Sequence, residues 1–264
     1  MRPLADVAPG VAVATAEIWA TTSTLVTAED GACLVVDPGV SAADLTGLAD
    51  AVAARGWRVT AGFSTHPHWD HVLWSPRLGD GPRWATPEAC TLARETREAI
   101  LRETDADAPG HDHVLTARLT ALPNGAEVPW PGPRALALPY RAHCPGSAAL
   151  VAPERGLLCA GDLLSDREVP LLDLDASDPV GDHLAAIDVL EAALTTHGIR
   201  VMVPGHGTVT DATGARERAD ADRAYLRALV AGGPVDDPRL ADPWVAAQHE
   251  RQLLWARRGR PLGR

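Results

Sequence analysis

Between Thr65 and His71 the chain reads Thr-His-Pro-His-Trp-Asp-His, with three imidazoles and one carboxylate inside six positions, directly after an apolar run that ends at Phe63. So many polar groups cannot continue a buried strand without partners, so the segment reads as the loop that leaves the strand's end. Pro67 pushes the preceding residue out of the helical region, which makes His66 extended. In extended chain, residues two apart point the same way, and His66 and His68 can then share one ion. Asp70 and His71 come after the chain turns and face a neighbouring position. Imidazole and carboxylate together suit Zn²⁺, Fe or Mn²⁺. A lone His-x-His would read as a solvated loop, but four donors packed behind a buried strand are a far more specific signal.

The rest of the chain decides what scaffold carries this loop. With 264 residues, 46% of them hydrophobic, it is long enough for one large domain or two fused halves. Eight of the eleven aromatics are Trp, so Ala, Leu and Val must supply most of the core. Every cation is Arg, which reads as a coding bias rather than a physical requirement. The net charge of −11 argues against sequence-independent nucleic-acid binding, which depends on cations neutralising phosphates. Arg2, Pro3, Asp6, Pro9 and Glu17 interrupt any signal-peptide core, and no stretch approaches a membrane span. Cys33, Cys90, Cys144 and Cys159 stand far apart, as buried thiols of a reduced, cytoplasmic protein would.

Along the chain, β-rich runs between Val11 and Val36 break at Glu29-Asp30-Gly31, a hairpin signal. Ser41 caps a predicted helix through about Arg55, and Trp57 to Phe63 reads as a buried strand. One helix is expected over 87–105, opened by Pro87, followed by strands at about 134–139, 148–152 and 156–160. A helix over 180–196, a short strand at 200–203 and helices at about 214–232 and 243–257 close the chain. This order predicts an α+β chain of two mixed β-sheets packed together with helices outside.

With its ligand loop, the sequence resembles the metallo-β-lactamase superfamily, whose metal ligands arrive from successive strand-end loops. The resemblance runs from about residue 11 to 210. It implies a four-layer αβ/βα sandwich, with residues 1–212 as the catalytic domain and 213–264 as a helical extension packed on it. His143 in Ala-His-Cys-Pro-Gly-Ser, Asp162 in Cys-Ala-Gly-Asp and His206 in Pro-Gly-His-Gly match the later ligands in order. By that match His66, His68 and His143 hold one metal, Asp70, His71 and His206 a second, and Asp162 bridges them. Asp37 in Val-Val-Asp-Pro-Gly matches an acidic position that supports the ligand loop from behind. Ser147 stands where many members carry a second His, a change that affects a substrate-side contact rather than metal binding.

The resemblance implies a hydrolase with two divalent ions, Zn²⁺ first and Fe or Mn²⁺ as alternatives, in which a bridging hydroxide attacks a small-molecule substrate and Asp70 handles the proton. True β-lactamases of this fold generally lack the bridging Asp, so Asp162 points toward the glyoxalase-II-like and lactonase-like branch, whose substrates are esters, thioesters and lactones. A mononuclear-iron oxygenase similar to persulfide dioxygenases, a phosphodiesterase and a non-catalytic scaffold are the competing classes. Neither nucleic acid nor membrane is an expected partner, and a homodimer is an assembly the sequence permits. Tyr140 and Trp69 join Ser147 as candidate substrate contacts. His111 and His113 read as a surface loop, and His183, His197 and His249 as groups on helix surfaces or ends.

Overall fold

The computed structural model describes residues 2–123 and 125–258. Seven strands form the first sheet in sequence order: β1 (Ala5–Ala8), β2 (Val11–Thr15), β3 (Thr22–Thr27), β4 (Ala32–Val36), β5 (Arg58–Phe63), β6 (Arg83–Ala85) and β7 (Thr120–Ala121). Pairing is antiparallel from β1 to β4 and parallel from β4 onward. The second sheet contains β8 (Leu136–Pro139), β9 (Ala148–Ala152), β10 (Leu157–Cys159) and β11 (Val201–Val203), in the order β11-β10-β9-β8. There β8, β9 and β10 pair antiparallel and β10 with β11 parallel, so both sheets are mixed as expected.

Period-two alternation shows how the layers stack. Leu34 and Val36 of β4 join Val11, Val13, Leu150, Ala152 and Leu157 in a core between the sheets. The intervening Cys33 and Val35 face the other way, against Leu45, Leu48 and Val52 of α1 (Ala42–Ala54). On the far side, Ala149, Val151, Leu158 and Met202 meet Ile187, Leu190 and Leu194 of α4 (Pro179–Thr196) and Leu226 and Leu229 of α5 (Ala212–Ala231). Strands covered on both faces read as continuous apolar runs, and β4 is Ala-Cys-Leu-Val-Val for this reason. The result is the αβ/βα layering.

Helix starts follow their capping residues. Ser41 accepts from the Asp44 amide at 3.0 Å while Asp44 accepts from the Ser41 amide at 2.9 Å, a reciprocal capping box. The Asp178 and Asp211 carboxylates cap α4 and α5 in the same sense. The single helix expected over 87–105 is instead two, α2 (Pro87–Glu95) and α3 (Arg97–Asp107). Thr96 ends the first, its hydroxyl and its amide both donating to the Leu92 carbonyl, and the chain redirects there to bury Ile100. The last helix, α6 (Pro243–Arg258), contributes Val245 to the core shared with α4 and α5. Residues 259–264 of the predicted helical extension lie outside the described residues. Among the described residues, no helix is long and apolar enough to cross a membrane.

His183 and His249 depart from the helix-surface reading. His183 lies on the buried stripe of α4 with Pro179, Ala186, Ile187 and Leu190, and His249 is buried with Nδ1 2.9 Å from the Tyr225 hydroxyl. The i, i+3, i+4 spacing of His183 with those apolar residues was readable in advance.

The loop between β8 and β9 is pressed against the start of α2. The Thr86 hydroxyl donates to the Gly146 carbonyl at 2.7 Å, and a Cβ on Gly146 would lie 2.3 Å from the Ala89 amide nitrogen. Gly146 also has φ +84°, which an L side chain resists. Gly146→Ala is expected to destabilise the protein by about 2 kcal/mol or more, because neither the helix start nor the loop can withdraw. Thermal denaturation measures this, and an unchanged Tm would contradict the close packing.

Candidate metal centre

Every group in the site comes from a strand end or the loop it enters. Asp37 follows β4, the segment Ser64–His71 follows β5, Asp162 follows β10 and His206 follows β11, while His143 sits between β8 and β9. Backbone hydrogen bonds lock these loops together: Gly205 donates to the Gly161 carbonyl at 2.7 Å, Ala148 to Thr65 at 2.8 Å and Asp37 to Phe63 at 3.0 Å. A Cβ on Gly205 would lie 2.0 Å from Asp162 Oδ1, so only glycine lets that carboxylate approach.

Two sets of donor atoms face each other, one from His66, His68, His143 and Asp162 and the other from Asp70, His71 and His206, and a third, overlapping set joins Asp162 and His206 to Glu168. Asp162 Oδ2 lies 3.4 Å from His66 Nε2 and 3.2 Å from both His143 Nε2 and His206 Nε2. Its Oδ1 is 3.3 Å from His71 Nε2, so the carboxylate touches both sets. Asp70 Oδ2 is 3.3 Å from His71 Nε2 and from His206 Nε2. A tetrahedral ion with bonds of about 2.0–2.1 Å holds its ligands about 3.3 Å apart, which is the spacing found here.

The outer ring nitrogens complete the fit. Thr65 Oγ1 donates to Asp37 Oδ2 at 2.7 Å and therefore accepts from His66 Nδ1 at 3.0 Å. His71 Nδ1 faces the same Asp37 oxygen at 3.1 Å. Thr21 Oγ1 donates to the Ile18 carbonyl and accepts from His206 Nδ1 at 3.2 Å, and His143 Nδ1 points at the Leu171 carbonyl at 3.3 Å. For His66, His206 and His143 the partner holds the proton on the outer nitrogen and turns an Nε2 lone pair inward. His71 Nδ1 lies at ion-pair distance from Asp37 without a hydrogen bond. His68 is reversed, with Nδ1 inward and 2.9 Å from His143 Nε2. His66 Nε2, Asp70 Oδ2 and Asp162 Oδ1 are buried without a hydrogen-bond partner among the described residues, as atoms that ligate a cation would be.

The profile of the metallo-beta-lactamase superfamily matches residues 17–206. The chain belongs to that superfamily. Its fold matches a beta-lactamase domain protein from Burkholderia ambifaria (20% identity, TM-score 0.68, 97% of this chain and 87% of that one). It also matches a metallo-beta-lactamase family protein from Thermus thermophilus (22% identity, TM-score 0.66, 95% and 91%) and a metallo-beta-lactamase from Pontibacter korlensis (16% identity, TM-score 0.59, 82% and 96%). No curated protein sequence matches it.

Within this superfamily fold the other expected residues sort by what they touch. Asp37 stands behind the cluster, its Oδ2 2.7 Å from Thr65 Oγ1 and 3.1 Å from His71 Nδ1. Trp69 is buried and forms one wall of the adjoining cavity, its ring edge-on to Trp19 at 5.5 Å. The Tyr140 and Ser147 hydroxyls each donate to a backbone carbonyl. The Tyr140 hydroxyl donates to the Ala160 carbonyl at 2.8 Å, bracing the strand end before Asp162. The Ser147 hydroxyl donates to the Cys144 carbonyl at 2.9 Å inside the His143 loop. His111 and His113 lie outside both donor sets, and His113 pairs with Asp105 at 2.8 Å. All four cysteines are free thiols, and burial pushes Cys144 up to about 12, which leaves it unreactive beside His143.

Two residues with no sequence signal belong to the site. Glu168 is buried with a carboxylate oxygen 4.0 Å from His206 Nδ1, and burial pushes its carboxyl up to about 7. Thr21 supports His206 from a loop almost two hundred positions away, and neither residue stands in a motif.

Electrostatics follow from crowding. Burial, then His71, pushes His66 down to about 4, so it is neutral and ready to ligate at neutral pH. Burial opposes charge on His206, but Asp162, Glu168 and Asp70 outweigh it and raise that imidazole to about 10. In chelated protein the proton on His206 therefore stabilises the fold; that contribution is complete below its ordinary value near 6.5 and is lost as pH rises through about 10. A cation must displace this proton, so metal affinity and metal-induced stabilisation should rise with pH. Calorimetric scans of chelated protein with and without Zn²⁺ should show a larger Tm gain at about pH 8.5 than at about pH 6. An equal or smaller gain at the higher pH would contradict the assignment.

Proposed function

We propose that this protein is a dinuclear metal-dependent hydrolase that cleaves an ester, thioester or lactone at its carbonyl carbon. The observation that carries the reading is Asp162, one carboxylate in contact with both sets of imidazoles, Oδ2 with His66, His143 and His206 and Oδ1 with His71. In this reading His66, His68, His143 and Asp162 hold one ion and Asp70, His71, His206 and Asp162 the other, with Zn²⁺ the leading candidate over Fe and Mn²⁺. Such a pair supplies Lewis acidity and makes water acidic enough to attack at neutral pH. The protein's own groups do the rest. Asp162 sets the spacing of the pair, and Asp37 with Thr65 keeps His66 aligned in one tautomer. Asp70 orients the attacking water and takes its proton, since the surrounding imidazoles outweigh burial and hold the carboxyl ionised. His68 and His143 form the floor of the cavity in which the substrate sits.

The charge of −11 weighs against a nucleic-acid substrate, so a small molecule is the proposed partner and the cytoplasm the proposed location.

Asp70→Asn keeps the size and one oxygen of the side chain but cannot take a proton. Steady-state kinetics on the best ester, thioester or lactone should show kcat lowered about 10²-fold or more. KM should change far less, because the loss lies in the transition state. Bound metal is measured on the same sample. A variant with full metal content and wild-type kcat would remove Asp70 from the chemistry.

A further inference from the structure

Beside the metal cluster lies a cavity of about 540 Å³ whose floor contains His68 and His143. Its walls are apolar: Leu92 of α2, Ile100 of α3, Leu171, Leu172 and Leu174 of the segment after Asp162, and Trp69. These walls are held in place. The Leu172 amide donates to Gln252 Oε1 at 2.8 Å, Gln252 Nε2 donates to the Tyr225 hydroxyl at 2.8 Å, and Trp19 braces Trp69. Among the described residues, the charged groups at its rim apart from the histidines are Glu103, Asp173 and Asp175 against a single cation, Arg251, which donates to Gln248 Oε1 at 3.0 Å. A cleft with mainly apolar walls beside the donor cluster suits the part of a substrate attached to the reacting carbonyl. A rim with three carboxylates and one guanidinium disfavours an anionic end group.

Building on the hydrolase reading, we propose that this cavity selects substrates with an uncharged aliphatic acyl arm and turns away arms ending in a carboxylate or phosphate. The selection resides partly in α6, which lies beyond the segment matched to the superfamily and supplies Gln248, Arg251 and Gln252. The small side chain of Ala99, on the α3 wall, leaves room for the arm.

The test is a series of p-nitrophenyl esters on the metal-loaded protein, from acetyl through butanoyl and hexanoyl to octanoyl. Each added CH₂ up to hexanoyl should raise kcat/KM about fourfold, the transfer value of a buried methylene. The adipoyl monoester, equal in length but ending in a carboxylate, should fall at least about tenfold below hexanoyl. Ala99→Phe should abolish the advantage of hexanoyl over acetyl, and Leu174→Ala should move the optimum to longer chains. A flat chain-length profile, or adipoyl equal to hexanoyl, would overturn the proposal. If no ester, thioester or lactone is turned over, the hydrolase reading fails, and calorimetry with hexanamide and adipamic acid decides the cavity separately. Binding of hexanamide alone supports it, and equal binding of both or of neither overturns it.

Discussion

Asp162 and Asp70 are buried carboxylates, and an ionised carboxylate out of water costs several kcal/mol unless charge and hydrogen bonds compensate. Both are ringed by imidazole nitrogens at 3.2–3.4 Å. Only cations between them, or protons on the imidazoles, can balance such a cluster. The loops that carry these residues have no other way to be stable in one place. The interlocked strand ends, the glycine at 205 and the outer hydrogen bonds to Asp37, Thr65, Thr21 and Leu171 all serve to hold that charge arrangement in one geometry.

The two-sheet sandwich is a direct answer to that demand. Parallel pairs β4–β5 and β10–β11 deliver their following loops to the same end of the molecule, so residues from four strands converge although they span most of the chain. The backbone accepts strain there. His143 and Asp37 both have positive φ, at 68° and 48°, and Trp19 and Ala20 are left-handed in succession at 51° and 53°. Non-glycine residues in that region cost of order 1 kcal/mol each and persist where surrounding contacts over-determine them. In this chain Trp19, Ala20, Asp37 and His143 lie in or beside the two donor sets. Ala20 accepts from the Gly207 amide and the Thr22 amide donates to the Gly205 carbonyl, so the strained turn is clamped to the His206 loop from both sides.

Much of this was legible in the sequence because metal chemistry and helix capping both use few residue types at fixed spacings. The His-x-His-x-Asp-His loop, Asp162, His206 and the helix starts at Ser41 and Pro87 are of that kind. What escaped depends on adjacency between distant segments. Thr21 and Glu168 are an ordinary strand-end threonine and a glutamate in a polar turn until the fold sets them beside His206. Tyr140 and Ser147 sit near His143 in sequence, yet their hydroxyls are consumed by the Ala160 and Cys144 carbonyls, which proximity alone could not reveal. Strands β6 and β7, of three and two residues, are too short to show a period, and the break at Thr96 has no glycine or proline to announce it.

The central claim is that two cations share Asp162. Anomalous diffraction from metal-loaded crystals, combined with elemental analysis of the same protein, tests it most directly. The account predicts two peaks about 3.5–4 Å apart. One should lie among His66, His68, His143 and Asp162, the other among Asp70, His71, His206 and Asp162, with two equivalents of metal per chain. A single peak at full metal saturation, or a second ion away from Asp70 and His206, would contradict it.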